Sequence, residues 1–124
     1  MRSLTFTRAA KLVAYVAVVF AGVILLCPGY AVAKMPVIVV HARRFAFVPA
    51  QITLRVGQPV RLVFVSDDVT HSITIPGLGI DLPIRRGYPA EIVVTPSRRG
   101  DFRGECTHYC GAGHDRMKFV VHVK

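Results

Sequence analysis

Between Gly104 and Met117 the chain reads GECTHYCGAGHDRM, which gathers two cysteines, two histidines and a methionine. Cys106, Cys110 and His114 stand four apart, and Met117 follows three positions later. Spacing of four can line one helix face, but Gly111 and Gly113 each cost about 1 kcal/mol relative to alanine in a helix interior. A loop is therefore expected. A structural disulfide between Cys106 and Cys110 would close a very small ring, where cross-link stabilisation is weakest, and would leave His114 and Met117 without a purpose. Metal binding uses more of these residues. Thiolate, imidazole and thioether are soft to borderline donors that favour copper over magnesium or calcium. Zinc is the nearest rival, because Cys106, Cys110, His114 and one distant histidine would make a Cys₂His₂ tetrahedron, although that site leaves Met117 out. An iron–sulfur centre of the Rieske type lacks its second Cys-x-x-His half. A mononuclear blue-copper site takes one cysteine, two histidines and an axial methionine, which idles one thiol. Two thiolates can instead bridge two copper ions, each completed by one histidine.

The second histidine must come from elsewhere in the chain, and His71 is the candidate, since it follows SDDVT at the start of an apolar alternating stretch. Metal-bound imidazoles commonly need a carboxylate on the other ring nitrogen, and Asp67 or Asp68 could supply it. His41 and His122 fall within strand-like segments and are read as hydrogen-bonded or solvent-facing. Tyr109 is expected to pack over the loop. No acid–base pair or substrate pocket is indicated, so no catalytic residue is assigned.

These residues need a rigid frame, and the chain downstream of Val37 supplies one. PVIVVHARRF opens with β-branched residues, FAFVPAQITLRVG alternates through Phe45, Phe47, Ile52, Leu54 and Val56, and VRLVFVS alternates again. HSITIP, AEIVVTP and MKFVVHVK are further strands, the last with Phe119, Val121 and Val123 on one face, while residues 78–90 are expected as a long connection with a short irregular strand. Strands at this spacing with Gly and Pro turns between them predict an all-β, antiparallel β-sandwich. Residues 1–33 read differently. Arg2, Arg8 and Lys11 precede an apolar run from Leu12 to Leu26, Pro28 and Gly29 break it, and Ala31-Val32-Ala33 fits a signal-peptidase site. The expected division is a signal peptide or single membrane anchor helix over 1–33, with membrane association possible through residues 12–33, and one domain over 34–124 outside the cytoplasm. Cys27 as a lipid attachment site is disfavoured by Leu26 before it. Residues 34–124 hold thirteen Lys and Arg against seven Asp and Glu, a net charge of +6. That charge serves solubility or docking to an acidic protein or anionic membrane. Scattered arginine pairs in an exported domain without a recognition motif exclude nucleic acid.

SDDVTHSITIPGLGIDL followed by CTHYCGAGHDRM resembles the copper-binding domain of cytochrome c oxidase subunit II and the related domain of nitrous oxide reductase, which are cupredoxins with a dinuclear copper A centre. FAFVPAQITLRVGQPV is similar to a segment common in cupredoxins, so the resemblance covers about residues 37–123. It implies a cupredoxin-like Greek-key β-sandwich and two copper ions bridged by Cys106 and Cys110. His71 and Met117 would complete one ion, and His114 with the backbone carbonyl of His108 the other. It further implies single-electron transfer in a respiratory chain, on the periplasmic or extracytoplasmic face of the membrane. The partner would be a c-type cytochrome or a membrane oxidase or reductase. The sequence departs from the oxidase pattern in three ways. His108 stands where a magnesium-binding glutamate is usual, there is no tryptophan, and the subunit's pair of membrane helices is not expected. Copper storage or delivery for oxidase assembly, and service as a non-catalytic subunit of an oxidase or reductase complex, are the alternative roles.

Overall fold

Apolar alternation in the downstream chain produces nine short strands in two facing sheets. The computed structural model describes residues 33–124, so the expected leader over 1–33 lies outside the described residues apart from Ala33. The strands are β1 (Val37–Arg43), β2 (Ala46–Val48), β3 (Gln51–Leu54), β4 (Val60–Ser66), β5 (His71–Ile75), β6 (Ile80–Ile84), β7 (Ala90–Val94), β8 (Gly100–Glu105) and β9 (Lys118–Val123). One sheet has the order β2-β1-β4-β7 and the other β3-β9-β8-β5-β6. Among the described residues the only helical pieces are single 3₁₀ turns at Pro76–Leu78 and His114–Arg116, and no helix is long and apolar enough to cross a membrane.

Period-two burial explains the layering. Leu62 and Phe64 of β4, Val40 and Ala42 of β1, and Phe119 and Val121 of β9 all turn inward and are buried. Phe119 meets Phe47 and Phe64 edge-on, with ring centroids 5.7 Å and 6.1 Å apart. Such pairs add about 0.5–1.5 kcal/mol beyond the area they bury. Phe119 therefore ties both sheets together two residues after Met117, which anchors the downstream end of the cysteine loop.

The sandwich expected from the sequence is present, with three refinements. Most neighbouring strands pair antiparallel, but β1 runs parallel to β4 and β3 parallel to β9, a mixture that local alternation cannot reveal. Residues 78–90 hold a complete strand, β6, which pairs with β5 from Ile75 opposite Ile80 to His71 opposite Ile84. Pro83 disguised it. At the sheet edge a residue without an N–H costs no ladder bond. Val56 is exposed rather than inward, because β3 ends at Leu54 and the chain turns over Gly57.

Candidate metal centre

β5 starts at His71, and β8 ends one residue before Cys106. These strands are neighbours in one sheet, so the sheet itself brings the distant histidine beside the first cysteine. The loop from Cys106 to Met117 is closed at its base by the Cys106 N–H donating to the Met117 carbonyl at 3.2 Å. Inside it the Sγ atoms of Cys106 and Cys110 lie 3.9 Å apart, with both thiols free. That is nearly twice a disulfide bond length of about 2.05 Å. Ligand atoms of His71, Cys106 and Cys110 all fall within 4.8 Å of one another, and all three residues are buried. Met117 is fully buried, with its Sδ 3.4 Å from the Cys110 Sγ. The His108 carbonyl oxygen lies 3.1 Å from the Cys106 Sγ, while the rest of His108 is exposed.

His71 is prepared for a ligand by its neighbours. Its Nε2 lies 2.7 Å from Asp68 Oδ1; an ionised carboxylate only accepts, so Nε2 carries the hydrogen and, in the neutral imidazole, Nδ1 keeps its lone pair. That Nδ1 is buried with no hydrogen-bond partner, and a buried acceptor without a partner is costly. Asp68 keeps its charge: burial opposes ionisation, but N–H donation from Arg44, the His71 ring and Val69 outweighs it and lowers the carboxyl to about 2. Asp67, the other carboxylate considered, binds His41 Nδ1 at 2.7 Å instead. Burial, followed by the adjacent Cys106 thiol and the more distant Asp68 charge, pushes the Cys110 thiol up to about 11.

His114 stands apart from the group of mutually close ligand atoms formed by His71, Cys106 and Cys110. Its Nδ1 is nevertheless buried and unpartnered, and its ring meets Tyr109 edge-on at 5.2 Å. Tyr109 is itself mostly exposed, so it covers the histidine from outside. His122 bonds to Asp101 and Gln51 on the surface, and His41 is likewise exposed, as expected for both.

Sequence reasoning passed over Arg44, Phe45 and Ser72. Arg44 donates from its backbone to Asp68 Oδ2 at 2.8 Å and from Nε to the Cys110 carbonyl at 2.9 Å, clamping the segment before His71 to the cysteine loop. Phe45 explains the glycines. A Cβ on Gly113 would lie 2.6 Å from the Phe45 ring, and one on Gly111, at φ +138°, 3.0 Å from it. Ser72 accepts N–H bonds from Thr107 and His108. Arg44, Thr70, His108, Tyr109 and Cys110 also line an open depression of about 320 Å³.

The family described as cytochrome C oxidase subunit II, periplasmic domain, matches residues 25–124. Solved structures with the same fold include the periplasmic domain of subunit II of cytochrome oxidase from Bradyrhizobium japonicum, at 18% identity and TM-score 0.67, covering 75% of this chain and 87% of that one. A chain of a heme-copper terminal oxidase dimer is 19% identical with TM-score 0.66, over 94% of this chain and 100% of that one. A third, a mixed disulfide intermediate between a thioredoxin-like protein and subunit II of cytochrome c oxidase, is 18% identical with TM-score 0.62, over 75% and 85%.

Proposed function

Because the chain belongs to the family of cytochrome c oxidase subunit II periplasmic domains, we propose that it carries a dinuclear copper A centre and passes single electrons through it. The domain lies on the periplasmic side of the membrane and takes part in electron transfer within a respiratory complex, receiving electrons while catalysis belongs to another chain. The reading rests above all on one observation, the convergence of two free thiols and the unpartnered imidazole of His71 in a buried cluster. Half of the 3.9 Å sulfur separation is shorter than a metal–thiolate bond of about 2.3 Å. The two thiols therefore lie close enough that both could help to hold bound metal.

His71, Cys106, Cys110 and Met117, with His114 and the His108 carbonyl, are the proposed ligands. When bound, a copper pair shared by two thiolates spreads one electron over both ions. The protein's own part is to hold still. Asp68 fixes the ring and tautomer of His71, Arg44 ties the Cys110 carbonyl to the first loop, and burial of Met117 and both cysteines keeps water from the donor atoms. The thioether beside Cys110 supports copper over zinc, for which it is a poor ligand. Residues 1–33 would act as the export signal or anchor that takes the domain across the membrane. In an oxidising compartment neighbouring thiols tend to pair, so the two cysteines must be reduced before they can hold metal. A thioredoxin-like protein is a fitting partner for that step, given the mixed disulfide known for a similar subunit II.

Metal stoichiometry tests the proposal. The reduced chain should take up two coppers, and the Cys110→Ser variant should fail to hold the pair. One zinc bound tightly in preference to copper would remove the redox role.

A further inference from the structure

Ser72 follows His71 in β5 and is buried, yet it makes polar contacts that the proposed ligand set does not need. Its Oγ accepts N–H bonds from Thr107 and His108, both at 2.8 Å. The same oxygen lies 3.0 Å from Thr107 Oγ1 and 4.0 Å from the Cys106 Sγ. From Thr107 the contacts continue outward, 2.9 Å to Thr74 Oγ1 and from there 2.9 Å to Asp81 Oδ1. A hydroxyl has one hydrogen and two lone pairs, and an ionised carboxylate only accepts, so every direction in this chain is fixed. Thr74 donates to Asp81 and accepts from Thr107. Thr107, its hydrogen committed, accepts from Ser72. Both lone pairs of Ser72 thus hold the backbone of the cysteine loop, and its only hydrogen is drawn away from the sulfur of Cys106.

We infer that Ser72 is a positioning residue of the metal centre, and that the chain Thr107–Thr74–Asp81 diverts its hydrogen from Cys106 and so holds the reduction potential down. The second half of the inference rests on Cys106 being a copper ligand. Hydrogen bonds to a metal-bound sulfur are one of the levers that set potential. A donor aimed at a thiolate stabilises the electron-rich reduced state more than the oxidised one and so raises the potential. The diverted hydrogen withholds that increase. Valine at Thr107 would keep the shape of the side chain while removing its hydroxyl. The Ser72 hydrogen would then be free to turn toward the Cys106 sulfur, 4.0 Å from its oxygen. Because Thr107 is exposed, the substitution leaves the core untouched.

Redox titration of the copper-loaded full chain reads the effect. Thr107→Val should shift the potential upward, and Thr107→Ser, which restores the hydroxyl, should return it to the wild-type value. An unchanged or lowered potential in Thr107→Val overturns the diversion. The positioning role is read without metal, by amide hydrogen exchange on the metal-free full chain. The Thr107 and His108 amides should be protected in the wild type and exchange about fivefold or more faster in Ser72→Ala, as expected when hydrogen bonds of about 1 kcal/mol are lost. Unprotected amides in the wild type would refute it. A chain that binds no copper yet protects these amides would end the functional reading above and leave the loop-holding role of Ser72 standing.

Discussion

His71 shows how much a proposed ligand depends on what lies behind it. Its ring is fully buried with one nitrogen on Asp68 and the other without a partner. Asp68→Asn would remove the charge that orients the ring and place an amide N–H₂ where the Arg44 N–H now finds an acceptor. Copper affinity should fall about 10–100-fold, the usual cost of losing such a partner, and competition with a chelator measures it. Unchanged affinity would show that the carboxylate serves only the fold. The Cys110 thiol supplies a second prediction at this scale. A thiol pushed up to about 11 is protonated throughout the neutral range, so metal must displace its proton. Affinity should then rise with pH, by about tenfold per unit for each proton released. Competition titrations at several pH values between mildly acidic and mildly basic check the slope, and a flat profile would contradict deprotonation on binding. Cys106, Cys110, His114 and Met117 were legible as candidates because they crowd one short loop. Ser72 and Arg44 were not, since serine and arginine are ordinary surface types whose roles here come from contacts far along the chain.

At the scale of elements, the cysteine loop owes its path to the turn between β1 and β2. Phe45 comes from that turn and lies so close to Gly111 and Gly113 that side chains there would meet its ring. The glycines argued correctly for a loop in the sequence, but their purpose, room for a ring from another turn, is written nowhere near them. Gly113→Ala should cost about 1–3 kcal/mol through overpacking, measured by chemical unfolding of the metal-free protein. Combining it with Phe45→Leu should recover part of that loss, because residues in contact are not additive. Full additivity would mean that the ring is not what the glycine accommodates. The strands were largely readable for a plain reason: β4 and β9 keep strict alternation between a buried and a solvated face. β6 was obscured by Pro83, and the parallel pairs β1–β4 and β3–β9 were invisible because partner choice between strands leaves no local pattern.

For the molecule as a whole, the two sheets act as a stiff support on which one loop and one strand start are held in fixed relation. Among the described residues the only Lys or Arg side chains paired to a carboxylate are Arg61 and Lys118, so the excess positive charge read from composition is largely open to solvent or to partners. The central claim, however, concerns the sulfur pair. Electron paramagnetic resonance of the copper-loaded, oxidised chain tests it most directly. One unpaired electron shared equally by two copper nuclei gives a seven-line hyperfine pattern, and that is the predicted spectrum. A four-line pattern from a single copper would contradict the account.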